Sequence, residues 1–189
     1  MTTTLFTNAH IATGEPGSTA ASTLPLQDIL VTDGVFTAFG PGLAQQYEAQ
    51  GGDLAAIEVV DLGGKLVCPP FCDTHLHLDY VFTARKPGAV NESGTLFEGI
   101  QRWSETKSDL TVDEIKQRAK IGIKKEMLHG VQLIRSHADV TDPNLTSLKA
   151  LLELKEELKD TVTLQIVSFP QEGMYSYEGP HGESGAELV

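Results

Sequence analysis

The sequence predicts an α/β chain in two parts: a strand-rich segment over residues 1–66, then strands alternating with helices over residues 67–189. Three observations carry this reading. The first 66 residues hold short apolar runs separated by Gly, Ser, Pro and Thr. From Leu66 onward, three strand-like runs alternate with helical apolar stripes, the pattern of right-handed βαβ units and a parallel sheet. Each of those three runs ends in chemistry-bearing polar residues, and parallel sheets place their sites at the carboxyl ends of strands.

The first part opens on Leu5-Phe6-Thr7-Asn8-Ala9-His10-Ile11, which alternates loosely as a strand. Thr13-Gly14-Glu15-Pro16-Gly17-Ser18 is turn-rich. Leu26-Gln27-Asp28-Ile29-Leu30-Val31 is a second strand, and Asp33-Gly34 turns it tightly into Val35-Phe36-Thr37-Ala38-Phe39. Residues 45–52 are polar, a loop or a short helix. Ala56-Ile57-Glu58-Val59-Val60 is a further strand, closed by Asp61-Leu62-Gly63-Gly64. These strands are too few for an independent sandwich. A small satellite sheet is expected, meeting the second part near residues 62–67, where Gly63-Gly64 frees the chain to turn. His10 is expected to be structural.

In the second part, Lys65-Leu66-Val67-Cys68, Pro69-Pro70 and the run from Phe71 to Asp79 read together as a first strand. Residues 79–94 form a long irregular loop of the kind that often serves as a lid. Leu96, Ile100 and Trp103 fall on one face of a helix. Thr111 and Glu114 make a capping box for a second helix, with an apolar stripe of Val112, Ile115, Ala119, Ile123 and Met127 and a stop at Gly130. Val131-Gln132-Leu133-Ile134-Arg135-Ser136-His137-Ala138-Asp139 is the second strand. Asp142-Pro143 is expected to cap a third helix that buries Leu145, Leu148, Leu151, Leu152 and Leu158. Its charged run from Glu153 to Lys159 reads as a solvated face. Thr161-Val162-Thr163-Leu164-Gln165-Ile166-Val167-Ser168-Phe169 is the third strand, and a polar loop runs over residues 174–181. Gly185-Ala186-Glu187-Leu188-Val189 resembles the first turn of another helix. No internal repeat is evident.

Bulk composition narrows the function. A net charge of −12 and a pI near 4.8 argue against nucleic acid and against anionic membrane surfaces. Apolar content of 40% supplies ample material for a core. The two cysteines, Cys68 and Cys72, do not make a disulfide framework, and Cys72 is expected to be buried packing. Met1-Thr2-Thr3-Thr4 lacks the basic residues of a signal peptide, and no run is long enough to span a bilayer. The expected location is the cytoplasm.

The chemistry centres on Phe71-Cys72-Asp73-Thr74-His75-Leu76-His77-Leu78-Asp79. On a strand, residues two apart share a face, so His75 and His77 project side by side with Cα atoms roughly 6.5–7 Å apart. Two neutral imidazoles at that spacing can converge on one divalent ion. A bare His-x-His is a weak signal, and the ordinary alternative is two partly buried histidines bonded to backbone. The strand, the Pro-Pro pair and the long loop after them raise the case for metal. His137/Asp139 and Gln171/Glu172 end the other two strands, so three strand ends converge.

Three motifs then resemble bacterial-type cytosine deaminase, a branch of the amidohydrolase superfamily. They are Asp73-Thr74-His75-Leu76-His77-Leu78-Asp79, Ser93-Gly94-Thr95-Leu96-Phe97-Glu98-Gly99-Ile100, and Phe169-Pro170-Gln171-Glu172-Gly173. Similarity is clear over residues 66–177 and general before that. The resemblance implies the N-terminal portion of a (β/α)8 TIM-type barrel, its first three β/α units over residues 67–189, preceded by a β-sandwich segment over residues 1–66. It implies one divalent metal ion, Fe2+ or Zn2+, held by His75 and His77. Gln171 matches the position whose carboxamide reads the pyrimidine ring, and Leu96 a position near the substrate. The implied reaction is attack of activated water on the amino-bearing ring carbon, with loss of ammonia. His137 and Asp139 could support a metal ligand from behind, or be ordinary polar packing. Glu172 reads as structural.

Length is where the chain departs from the family. A complete barrel takes roughly 250 residues, about twice the length of chain present beyond residue 66. The resemblance places two further metal ligands, a proton-shuttling Glu and a catalytic Asp on later strands, so no catalytic residue is assigned here. Two classes of function stand. One is an enzyme completed by a missing C-terminal half, acting on cytosine or a related small heterocycle such as isocytosine, isoguanine or creatinine, or on a cyclic amide. The other is a fragment that acts only in assembly. A homo-oligomer is left open.

Overall fold

The computed structural model describes residues 2–12, 24–175, 178–179 and 181–188. The turn-rich stretch 13–18 lies outside them, as does part of the expected loop over 174–181. The chain divides into two compact units, residues 1–69 and 70–189.

Among the described residues, the first unit holds one mixed sheet of five strands. β1 (Thr3–Ile11) pairs antiparallel with β2 (Leu26–Thr32), which pairs with β3 (Val35–Gly40). On its other edge β1 pairs in parallel with β4 (Glu58–Asp61) and with the two-residue β5 (Leu66–Val67). The β2–β3 hairpin turns at Asp33 and Gly34, both at positive φ (50° and 78°), as a two-residue primed turn requires. The polar stretch after β3 contains a short helix, α1 (Leu43–Ala49). Buried Asp28 ties the unit together: one carboxylate oxygen accepts the Asn8 N–H at 3.1 Å, the other the Leu43 N–H at 2.9 Å. The expected single strand through Pro69-Pro70 is in fact two. Leu66–Val67 joins the first sheet, and a new strand starts at Phe71. The prolines cannot donate to a ladder, so the pairing breaks at them.

The second unit carries the parallel sheet β6-β7-β8: β6 (Phe71–Leu76), β7 (Val131–Asp139) and β8 (Thr163–Phe169). Between β6 and β7 run α2 (Leu96–Lys107) and α3 (Val112–Leu128); α4 (Thr146–Glu157) joins β7 to β8, and α5 (Gly185–Leu188) comes last. Helix starts obey local chemistry. Thr95 caps α2 through the Glu98 N–H, and Thr111 with Glu114 closes the expected capping box on α3. Gly130, at φ 85°, ends α3.

α3 and α4 pack on β7 and β8. The core joins Ile115, Ala119 and Ile123 of α3 to Ile134, Ala138 and Leu164 of the sheet and to Ala150, Leu151 and Leu154 of α4. α4 departs from expectation. It starts at Thr146, and Asp142 caps it from outside by accepting the Thr146 N–H at 2.9 Å. The fully buried row is Ser147, Ala150, Leu151 and Leu154, with Leu148 and Leu158 packed partly buried against the core as expected, while Leu152 lies half exposed. The helical repeat from Thr146 selects that row, and a list of leucines alone misplaces it. Cys72 is exposed rather than buried, because the helices cover β7 and β8 and leave the start of β6 bare. Leu96 does not join the apolar face with Trp103 either. It stands 75% exposed on the first turn of α2.

Candidate active site at the strand ends

β6 ends at Leu76, one residue before the second histidine. The chain then turns back: the N–H groups of Tyr80 and Val81 both donate to the His77 carbonyl, at 3.1 and 3.2 Å. Two buried residues fix this turn to β7. The Leu78 N–H donates to Ser136 Oγ at 3.0 Å, and the Asp139 N–H donates to Asp79 Oδ2 at 2.9 Å. Asp79, expected merely past the strand end, is fully buried, and that burial pushes its carboxyl up to about 7. Arg118 closes the turn from α3 by donating to the carbonyls of Asp79 and Val81 at 3.0 and 2.8 Å.

The turn gathers aromatic rings around the histidines. His75 and His77 lie with ring centroids 5.2 Å apart, edge to face, and His137 stacks on His75 at 4.1 Å. Tyr80 stacks on the other side of His77 at 4.6 Å and on Trp103 at 4.0 Å. Phe169, at the end of β8, meets His77 edge-on at 5.2 Å. His77 Nδ1 lies 3.0 Å from the His137 carbonyl oxygen. A carbonyl can only accept, so Nδ1 carries the proton and Nε2 keeps its lone pair, the tautomer a metal ligand needs. Burial lowers the pKa of His77 and of His137 and favours their neutral rings.

The donor set therefore suits a divalent ion at His75 and His77, with a carbonyl behind one of them. Among the described residues, no group of three or more His, Cys, Asp or Glu side chains is arranged to hold a metal. The expectation of two histidines from this chain, with the remaining ligands elsewhere, rests on that same pair.

Gln171 reaches the cluster through Tyr80, whose hydroxyl donates to Gln171 Oε1 at 2.8 Å. Burial raises the tyrosine pKa, which keeps that hydroxyl protonated. The neighbouring Glu172 turns the other way. Its Oε1 accepts from Ser104 Oγ at 2.5 Å and from Lys107 Nζ at 2.8 Å. Lys107 Nζ also donates to Thr141 Oγ1 and Asp139 Oδ2, at 2.6 and 3.2 Å. Asp139 is buried and accepts as well from Trp103 Nε1 at 2.6 Å and from the Thr141 N–H at 2.8 Å. Asp139 and Glu172 are thus held in a polar clamp.

The sequence carries no functional signal for Tyr80, Trp103 or Lys107. Tyr80 lies three residues beyond His77, and only the backward turn at His77 brings the two rings together. Trp103 and Lys107 look like ordinary members of an amphipathic helix.

Comparison with known proteins identifies the family. The Amidohydrolase family profile matches residues 58–188, well over half of the chain. The chain belongs to the amidohydrolase family. It is similar to the 5-methylcytosine deaminase of Klebsiella pneumoniae, solved with 5-fluorocytosine, with 40% identity, a TM-score of 0.76, and coverage of 97% of this chain and 39% of that one. Among curated relatives, the N-isopropylammelide isopropyl amidohydrolase of Pseudomonas sp. strain ADP is 35% identical over 120 residues, 61% of this chain and 30% of that protein. The pterin deaminase of Rhizobium rhizogenes is 27% identical over 152 residues, 78% of this chain and 32% of its own length. The chain thus spans about a third of the curated relatives it matches, and its α/β fold is part of an amidohydrolase barrel. No helix among the described residues is long and apolar enough to cross a membrane.

Proposed function

We propose that this chain is part of a metal-dependent deaminase acting on cytosine or a closely related amino-substituted heterocycle, and that the rest of the barrel comes from residues outside it. In this reading residues 1–66 belong to the sandwich segment and 67–189 are the first three β/α units. The observation that carries the proposal is the join of His77 to Gln171 through Tyr80, which sets a metal-type histidine and a ring-reading carboxamide against one aromatic wall. Likeness to a 5-methylcytosine deaminase at 40% identity supports the substrate class.

His75 and His77 would hold the ion, Fe2+ or Zn2+, and His77 is oriented for it by its bond to the His137 carbonyl. A bound divalent ion supplies Lewis-acid activation of water at neutral pH. This chain's other groups bind and orient. Gln171 offers a carboxamide to the ring's polar edge, and Phe169 and Tyr80 supply apolar walls that exclude water. Leu96, exposed on α2, contributes an apolar substrate contact only once further chain closes over it. The proton-transfer groups lie on strands this chain does not hold.

The test is ammonia release by the complete protein from cytosine, 5-methylcytosine, isocytosine and creatinine, with Fe2+ or Zn2+ added. Turnover of cytosine-type rings that falls at least a hundredfold in Gln171→Ala with bound metal intact supports the proposal. Unchanged kinetics in Gln171→Ala across all four rings removes the case for recognition by this residue. Likeness to an N-isopropylammelide isopropyl amidohydrolase at 35% identity favours one other reading, an alkylamino-triazine substrate. Isopropylamine release from N-isopropylammelide, with no ammonia from cytosine, would select it.

A further inference from the structure

We propose that Tyr80 is a positioning residue that sets which end of the Gln171 carboxamide faces the substrate, and so makes the site selective for rings that present acceptors at that edge. The inference rests on the reading of Gln171 as the ring-recognition residue. Tyr80 is held on two faces, by His77 at 4.6 Å and by Trp103 at 4.0 Å, so its hydroxyl has little freedom to wander. That hydroxyl donates to Gln171 Oε1 at 2.8 Å in a part-buried setting. The backbone adds a second restraint, since the Gln171 N–H donates to the Phe169 carbonyl at 2.9 Å.

With Oε1 directed at Tyr80, the amide nitrogen and its two donors are turned to the other side. Flipping the amide would present an NH2 group to the phenol and leave the phenolic O–H without its acceptor. In this part-buried setting, losing the bond from the phenolic O–H costs about 1.4 kcal/mol, a bias of about tenfold in orientation. A ring nitrogen or carbonyl oxygen is then favoured at that edge, and a ring N–H or amino group is disfavoured. The phenol's stacking also couples this preference to His77, so ring recognition and metal-type histidine share one rigid wall.

The experiment uses the complete enzyme with 5-fluorocytosine as the binding probe and cytosine as substrate. Tyr80→Phe keeps the stacked ring and deletes only the hydroxyl. Expected is an approximately tenfold rise in KM for cytosine and in Kd for 5-fluorocytosine, with kcat changed by less than about threefold and metal content unchanged. The effect should vanish in a Gln171→Ala background, because a residue acting through Gln171 has nothing left to orient. Gln171→Glu keeps an acceptor for Tyr80 but loses the two amide N–H donors, and should bind 5-fluorocytosine as weakly as Gln171→Ala. Tyr80→Phe losses that persist in the Gln171→Ala background, or Gln171→Glu binding as tight as wild type, overturn the orientation. A Gln171→Ala enzyme that binds 5-fluorocytosine normally instead sinks the underlying reading of Gln171.

Discussion

The two sides of the parallel sheet in the second unit differ sharply. On β6, Phe71, Cys72, Thr74 and His75 are exposed, and His77 sits on a turn past the strand end. At the ends of β7 and β8, Ser136, Asp139 and Thr141 are buried, and Lys107, Trp103, Asp79 and Glu172 close a network around them. The first side presents exposed histidine nitrogens; on the second, Asp139 and Glu172 are each held by several donors. In the proposed reading the metal ligands come from β6 and the turn after it, ring recognition comes from Gln171 past the end of β8, and Asp139 and Glu172 hold the strand ends in place. A buried charge with several partners is poorly suited to move a proton, whereas a neutral imidazole with one nitrogen tied and one free is suited to bind an ion.

The largest effect this contrast predicts is complete absence of turnover by the 189-residue chain. Deamination needs an activated water, a base for its proton, an acid for the leaving nitrogen and a dry pocket. In the proposed reading the chain contributes two metal-binding histidines and one recognition group, and Asp139 and Glu172 are engaged in the clamp. Ammonia release should be undetectable from cytosine, isocytosine or creatinine with Fe2+ or Zn2+ present. Turnover abolished by His75→Ala would show that the carboxylates of β7 and β8 do chemistry, and the contrast would collapse.

Next in size is a separation of metal binding from stability. In the complete protein, His75→Ala or His77→Ala should each remove most bound metal, read by mass spectrometry. With metal chelated from all variants, His77→Ala should cost about 2–3 kcal/mol in urea unfolding, the worth of one hydrogen bond and its ring contacts with Tyr80 and Phe169. Asp139→Ala should cost about 3–5 kcal/mol, because it leaves the buried Trp103 Nε1 without its acceptor, takes from Lys107 one of its two carboxylate partners, and removes the acceptor of the Thr141 N–H. Equal destabilisation by the two variants would mean that the histidine side is part of the structural frame.

The same contrast explains what could be read from the chain before its fold. The α3 stripe, its capping box, the Asp33-Gly34 hairpin and the span of β7 were legible, because periodicity and caps are local properties. The closeness of His75 and His77 was legible in part: their rings lie 5.2 Å apart, but β6 ends at Leu76, so the turn at His77 as well as strand alternation sets the second ring. The clamp was not. Trp103 and Asp139 are 36 residues apart, Lys107 and Glu172 are 65 apart, and only packing of α2 against the strand ends joins them. Cys72 misleads for a related reason: alternation names the face it occupies, but whether a helix covers that face is decided elsewhere in the chain. The strand break at Pro69-Pro70 could have been seen in the sequence, because two residues without an N–H cannot continue a ladder.

The smallest effect sharpens the contrast by taking a clamp that water reaches. Glu98, in the first turn of α2, accepts from the Ser93 N–H at 2.6 Å and the Glu92 N–H at 3.0 Å, with Arg102 beside it. The Ser93 bonds, then the Glu92 bond, hold its carboxyl at about 2, below the 4.5 of a free glutamate. A carboxyl whose folded pKa is depressed adds stability that is fully present above its unfolded pKa and is lost as pH falls through the folded value. The contribution should therefore hold above pH 4.5 and fade between 4.5 and 2. Carboxyl 13C NMR should place the Glu98 midpoint near 2. In Glu98→Gln, resonances of residues 91–95 should lose their dependence on pH across that window. Because solvent screens this site, its protonation should loosen only that short stretch and leave the β7 and β8 ends intact. A midpoint near 4.5 would mean that the Ser93 and Glu92 bonds are not held in solution.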